Sequence, residues 1–285
     1  MHQGELFGVG DYAKYQLKDI EHFYIKREAA KLFSELMTRD LLAFARLNQL
    51  TTESDFKVTL GFAETIHDLI NDIGVTPEVQ AAAQASVDLN LRLFSSRPEL
   101  KSLLDLFFKS ANGGSYIVSH SVAVGHLACA ISAKLGWNSP ITFQKLTMAA
   151  LLHDVTFSSH LIKNVQELEE HTGVAVDKLS PQERSFYRLH PIQAASVARE
   201  FTDLPPGVDA IIERHHERPD GSGFPNQCDH SMIPPLASVF IVAHMLFSYA
   251  LQHPGEPECL KKFLSELPGS YWVGEFKKML VALTK

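Results

Sequence analysis

The chain is short of cysteine and tryptophan, has no basic block and no long unbroken apolar stretch. Each shortage narrows what it can be. Three cysteines, Cys129, Cys228 and Cys259, are an odd number at no metal-ligand spacing. They fit free thiols in a reducing cytoplasm rather than a disulfide framework or a thiolate metal site. No run of about 18 apolar residues is present, so no membrane-spanning helix is expected. The opening MHQGELFGVGDYAKYQ lacks the basic start and apolar stretch of a secretory signal. Lysine and arginine total 26 against 33 acidic residues, a net charge of -7. A protein that grips duplex nucleic acid through many phosphates is therefore not expected. A small anionic ligand held by a few local cations or metals is compatible with this balance. There is no internal repeat and no low-complexity tract.

What is present is an ordinary globular composition, 45% hydrophobic and 21% charged over 285 residues. A chain of this length buries roughly 75% of its unfolded surface and needs no disulfide or metal to hold its core. Histidine is the informative residue. Of 14 in the chain, ten lie between His120 and His244.

The pattern predicts a mainly α protein. HFYI, from His22 to Ile25, reads as a short strand. REAAKLFSELMTRDLLAFARL then places Ala30, Leu32, Phe33, Leu36, Leu41 and Leu42 near the helical period. A second helix is expected from about Phe56 to Ile73, stopped by Gly74, and a third from Pro77 to about Phe94. Ser95-Ser96-Arg97-Pro98 marks a boundary. It separates an N-terminal accessory or regulatory domain (1–97) from a helical domain (98–285). The second part should hold helices at about Ser115–Lys134 and Pro140–Val155, and a capping box opening SPQERSFYRLHPIQAASVAREF. A short GVDAIIERHHER helix follows. IPPLASVFIVAHMLFSYAL is apolar nearly all round and should be central and buried.

The histidines fall on these segments in a telling way. His120 lies inside YIVSHSVAVGHLACAI, and His153-Asp154 ends LTMAALLHDV. His190 precedes Pro191, His215-His216 precede Glu217, and His244 lies within FIVAHMLF. Six imidazoles and an aspartate on apolar segments are costly to bury unless positive charge sits among them. Divalent metals resolve the conflict. A histidine-dominated set favours zinc, iron, manganese or nickel over magnesium and calcium. Adjacent ligands at a helix end diverge by about 100°, so one can face each of two metals. The geometry to expect is two ions about 3.5–4 Å apart sharing a carboxylate, able to activate water and clamp a phosphoryl group. His2, His22, His67, His126, His160, His171, His230 and His253 are read as ordinary. His126 lies about 120° round the helix from His120 and should face elsewhere.

These strings resemble the HD-GYP family, a branch of the HD superfamily of metal-dependent phosphohydrolases. The resemblance runs over roughly Lys101–Leu251 and rests on His120, His153-Asp154, His190 in RLHP and HHERPDGSGFP. It implies a helical bundle, a metal centre of two or three ions and hydrolysis of cyclic di-GMP. The N-terminal segment resembles the small α/β accessory domain found ahead of some members. The resemblance also implies the ligand sets. His120, His153, Asp154 and His244 would hold one metal, and Asp154, as bridge, with His190, His215 and His216 the other. A bridging hydroxide would be the nucleophile. Where trinuclear members carry a glutamate, four residues before the first histidine, this chain has Tyr116, so two metals are expected, iron first and manganese next.

The departures from the family pattern point to altered turnover. HD-x-G-K becomes HDVTF, with Thr156 and Phe157 in place of the glycine and lysine. The tyrosine of G-Y-P is Phe224, the later aspartate ligand is His244, and a second aspartate is Phe247. The Arg-Pro-Tyr-Arg string is absent. Losing a lysine and an arginine removes phosphate attraction. Losing one transition-state donor costs about 10²–10³ in rate. Arg184, Arg188, Arg214, Arg218 and Lys163 are the cations available to bind substrate. Three functions follow. One is a binuclear phosphodiesterase acting on a cyclic dinucleotide. A second is a degenerate member that keeps its metals and works as a binding module. A third is a phosphohydrolase for other nucleotides or phosphates. For the second, the GSGFP turn, with Gly221, Gly223, Pro225 and Phe224 at an exposed apex, would dock a diguanylate cyclase-type or other signalling protein.

Overall fold

The computed structural model describes residues 18, 26, 29–45, 52–96, 116–157, 179–253 and 258–284. The strand expected at His22–Ile25 and the cation Lys163 lie outside them. Among the described residues the fold is wholly helical, in keeping with the mainly α expectation. The order is α1 (Ala30–Ala45), α2 (Thr52–Ile73), α3 (Pro77–Ser96), α4 (Tyr116–Lys134), α5 (Pro140–Leu152), α6 (Pro181–Arg199), α7 (Val208–Glu213), α8 (Pro235–Gln252), α9 (Cys259–Glu266) and α10 (Gly274–Leu283). A single 3-10 turn, Gly269–Tyr271, precedes the last helix.

The helix ends follow local chemistry. α2 stops at Gly74, whose φ is 79°. Thr76 Oγ1 then accepts from Val79 N at 3.3 Å to begin α3. Ser139 caps α5 ahead of Pro140. Ser180 and Glu183 close the capping box on α6, with Glu183 Oε2 2.9 Å from Ser180 N and Ser180 Oγ 3.3 Å from Glu183 N. Two helices end earlier than their apolar pattern implies. α5 stops at Leu152 and α7 at Glu213, so His153-Asp154 and His215-His216 stand on the turns just beyond.

One apolar core runs through the molecule. It takes Phe56, Ile66 and Val79 from α2 and α3, Leu127 and Ile131 from α4, and Leu152 from α5. Phe240 and Leu246 of α8 and Phe276 of α10 complete it. The core is thus continuous across residue 97. By length and composition, α4 from Ile117 and α8 are apolar enough to cross a bilayer, contrary to the expectation of no such run. Both are mostly buried in the fold, and their apolar character is that of central core helices packed on all sides.

Helices α4 and α5 meet along a seam of small side chains. A Cβ built on Gly125 would lie 3.0 Å from Ala150 Cβ and 3.8 Å from Thr147 Cα. The close approach matters because α4 carries His120 and α5 leads into His153. Gly125→Val should therefore wedge the pair apart and lower unfolding free energy by about 2 kcal/mol. Urea denaturation of the metal-free protein measures this; a variant as stable as the parent would show that the seam tolerates the added volume.

Candidate metal centre

The centre is assembled from five pieces of chain. His120 comes from the middle of α4, His153 and Asp154 from the turn after α5, and His190 from α6. His215 and His216 come from the turn after α7, and His244 from the middle of α8. All seven are buried, Asp154 the least so at 6% exposure. Two groups of possible ligand atoms gather within 4.8 Å: His120, His153, Asp154 and His244, and then His190, His215 and His216. Asp154 faces both. Its Oδ2 lies 3.3 Å from His153 Nε2 and 3.9 Å from His120 Nε2. Its Oδ1 lies 3.3 Å from His190 Nε2 and 3.7 Å from His215 Nε2. His244 sits beside both sets, with ring centroids 4.6 Å from His120 and 5.2 Å from His216.

A shared backbone device orients three of the rings. In each, Nδ1 reaches the carbonyl three residues earlier. His153 meets Ala150 O at 2.8 Å, His190 meets Tyr187 O at 2.5 Å, and His215 meets Ile212 O at 2.6 Å. A carbonyl only accepts, so Nδ1 carries the proton and Nε2 is left with its lone pair. Ala150 and Ile212 lie in last helical turns, where carbonyls lack intrahelical donors. Tyr187 lies inside α6, but the residue four places on is Pro191, which has no N–H to give. The His-Pro pair thus frees the carbonyl that fixes the tautomer of its own histidine.

The Nε2 atoms then meet in pairs. His190 Nε2 and His215 Nε2 are 3.0 Å apart, and His120 Nε2 and His153 Nε2 are 3.1 Å apart. Between His190 and His215, whose Nδ1 atoms hold the protons, no hydrogen is left to bridge the gap. His153 Nε2 likewise faces Asp154 Oδ2, acceptor against acceptor. Burial pushes His120 down to about 3. Burial first, then the neighbouring imidazoles, holds His215 and His244 far below the ordinary imidazole range. Burial alone would raise the Asp154 carboxyl. Only positive charge on or among His153, His190 and His215 overcomes this and holds the group well below the usual carboxylate range, and neutral rings do not carry that charge themselves. One carboxylate among converging lone pairs, sealed from water, fits a pair of divalent cations and fits little else.

Aromatic rings wall this cluster. Phe240 packs edge-on to His153 at 5.3 Å, and Phe247 to His120 at 5.1 Å. On the opposite side, Phe157 lies 4.3 Å from His190. Phe157 and Tyr187 form a small second cluster with the partly buried Ile117, Leu179, Phe186 and Phe224. Phe224 stacks on His216 at 4.6 Å with planes 16° apart. This corrects the exposed apex expected of the GSGFP turn: its ring folds inward, Ser222 is exposed, and Pro225 is half-buried after a cis peptide bond. The turn packs tightly, since a Cβ on Gly223 would collide with the backbone of Glu217 and Arg218. Glu217 holds it from below, its carboxylate accepting from Asn226 N at 2.6 Å and Cys228 N at 2.9 Å.

The four arginines named from sequence divide. Arg218 is half-buried and its charge acts on His216. Arg214 is turned to Cys228 and the acidic Glu213–Glu217 side. Arg188 is exposed, two residues from the buried His190 and on the other face of α6. Arg184 is half-buried one and a half turns before His190. Sequence reasoning passed over His67, whose Nε2 lies 2.6 Å from Leu151 O beside the His153 turn. It also passed over the wall residue Tyr187 and the loop clamp Glu217. No spacing in the sequence marks His67; only its hydrogen bond to the end of α5 does.

Compared with known proteins, residues 98–252 match the family described as HD domain. Among solved structures, the chain resembles "Bd1817, a HDG"Y"P protein from Bdellovibrio bacteriovorus" with a TM-score of 0.59. The two share 19% identity over 97% of this chain and 80% of that one, a likeness of fold. No curated protein matches the chain.

His126, by contrast, faces away from the centre. It is buried against Phe94, with Nε2 3.2 Å from Asn90 O. Burial lowers it to about 4, below the ordinary 6.5. Its contribution is intact above pH 6.5. It is lost as pH falls toward 4, because the unfolded chain takes up a proton that the fold refuses. Between pH 7.5 and pH 5 this removes about 2 kcal/mol of stability. His126→Gln keeps a donor for Asn90 and does not titrate. In urea titrations at the two pH values, the parent should lose about 2 kcal/mol more than the variant; equal losses would refute the assignment.

Proposed function

The chain belongs to the HD-domain family of metal-dependent phosphohydrolases, and from that membership we propose that it is a binuclear phosphodiesterase acting on a cyclic dinucleotide, with cyclic di-GMP first. The observation that carries this reading is Asp154, whose two carboxylate oxygens are divided between two sets of three imidazoles. Such a carboxylate is the natural bridge of a two-ion site. The first ion would take His120, His153, His244 and Oδ2; the second would take His190, His215, His216 and Oδ1. Iron is the first choice and manganese the second, as the HD-GYP resemblance implies; the excess of imidazole nitrogens over oxygens by itself disfavours only magnesium and calcium. When bound, two such ions supply the positive charge that activates a water near neutral pH and offsets charge on phosphoryl oxygens.

The chain's own residues do the rest. Backbone carbonyls keep the Nε2 lone pairs aimed inward, so ligand orientation is set before substrate arrives. Phe240 and Phe247 exclude water from behind the cluster. Arg218, half-buried and close enough for its charge to act on His216, is the cation we assign to an anionic substrate. Phe224, half-exposed beside His216, offers an aromatic face to a nucleobase.

A second reading rests on Phe157. Its ring occupies the side of His190 where the HD-GYP resemblance calls for a phosphate-binding lysine. A centre with that lysine replaced would bind a nucleotide and turn it over slowly or not at all, acting as a signalling module. Metal-loaded protein incubated with a panel of cyclic dinucleotides separates the two. The proposal expects linear dinucleotide by chromatography, at rates lost in Asp154→Ala. Nucleotide binding without linear product favours the second reading, and hydrolysis confined to other phosphate esters removes the cyclic-dinucleotide assignment.

A further inference from the structure

The C-terminal end of α5 leaves a row of carbonyls that the helix cannot satisfy. Local donors take three of them. His153 N meets Ala149 O at 2.9 Å, His153 Nδ1 meets Ala150 O at 2.8 Å, and Val155 N meets Leu152 O at 3.2 Å. Leu151 O and Val155 O find their side-chain donors on α2. His67 Nε2 lies 2.6 Å from Leu151 O, and Asn71 Nδ2 donates to Val155 O at 2.9 Å. Because a carbonyl only accepts, His67 carries its proton on Nε2, the opposite tautomer to His153, His190 and His215. Asn71 Nδ2 also donates to His67 O at 2.8 Å, so the two residues, one helical turn apart, act as a unit.

We infer that His67 and Asn71 are positioning residues for the metal centre: they cap α5 from outside and hold the turn that carries His153 and Asp154 in register with the histidines of the other helices. The geometry is direct. Leu151 and Val155 bracket the His153-Asp154 pair, and both carbonyls are tied to the same face of α2. Asp154 must present one oxygen to each imidazole set, so a small rotation of this turn moves both ligand groups at once. Helix α2 is thus part of the centre's outer frame, and a displacement of α2 against α5 would reach the ligands through two hydrogen bonds. The inference rests on the metal-centre reading, but the clamp itself can be measured without metal.

The test uses the full chain stripped of metal and reloaded with Mn²⁺. Asn71 is exposed enough that Asn71→Ala should leave the fold unchanged. His67→Leu removes the second donor, and His67→Gln restores an N–H in a neutral side chain. Asn71→Ala and His67→Leu should each weaken Mn²⁺ binding about tenfold or more. They should also alter the Mn²⁺ electron paramagnetic resonance spectrum and speed amide exchange across residues 152–157 in the metal-free protein. Exchange in α8 and α10 should not change, and His67→Gln should return all three readouts toward the parent. Parental Mn²⁺ affinity and exchange in Asn71→Ala and His67→Leu would overturn the inference. If the parent binds no Mn²⁺ and no iron, the metal reading fails by itself. The exchange arm then decides the clamp: faster exchange confined to 152–157 sustains it, and unchanged exchange removes it.

Discussion

Six imidazoles and a carboxylate can converge on one point only if something keeps their lone pairs turned inward before a cation arrives. Here that restraint is the backbone. Three of the rings spend their Nδ1 proton on a carbonyl three residues back, and for His153 and His190 a helix end or a proline has left that carbonyl in need of a donor. Satisfying the main chain and orienting the ligand are the same event. The cost is that His190 Nε2 and His215 Nε2 stand about as close as hydrogen-bonded partners with no proton to share. A fold that accepts such repulsion in a dry interior has a cation as its natural complement.

The surroundings then decide what that cation pair would meet. Phenylalanines stand on both sides of the cluster, and Arg218 is the arginine whose charge acts on a ligand histidine. Removing cations from the rim does not weaken the ligand set. It lowers the attraction for a highly charged substrate and leaves flat apolar faces that favour a nucleobase. His244 stands where the HD-GYP resemblance calls for an aspartate and works in the other direction, because with one fewer negative charge any ions held there would be more electrophilic. The two changes partly offset each other for anion capture, which keeps a slow enzyme and a nucleotide-binding module close neighbours in chemistry.

Much of this was legible in the sequence. The helical period, the Ser180–Glu183 capping box and the all-apolar stretch around His244 announce their elements because they depend on neighbours along the chain. The convergence of six histidines was legible too, since so many imidazoles on apolar helices have few other ways to be buried. The ends of α5 and α7 were harder, because the apolar pattern continues past the last hydrogen-bonded turn. Phe224 was misplaced for a related reason. Gly221 and Gly223 before it and Pro225 after it predict a turn, but the stack of Phe224 on His216 goes with Glu217 holding Asn226 and Cys228 beneath the loop. His67 carried no local mark at all, since its partner lies 84 residues away.

That long-range pair bears on what the N-terminal helices are for. A turn that carries His153 and Asp154 cannot also close all of its own carbonyls, because the hydrogen-bonded helix ends at Leu152. The unmet acceptors at Leu151 and Val155 are buried, and a buried carbonyl without a donor costs on the order of 1–3 kcal/mol. Helix α2 supplies both donors while its Phe56 and Ile66 enter the same core as α4 and α5. An HD core cut away from α2 would therefore lose apolar contacts and leave two acceptors open beside its ligands. The division of the chain near residue 97 marks a change in composition, whereas the packing and the hydrogen bonds make the N-terminal helices a working part of the centre's support.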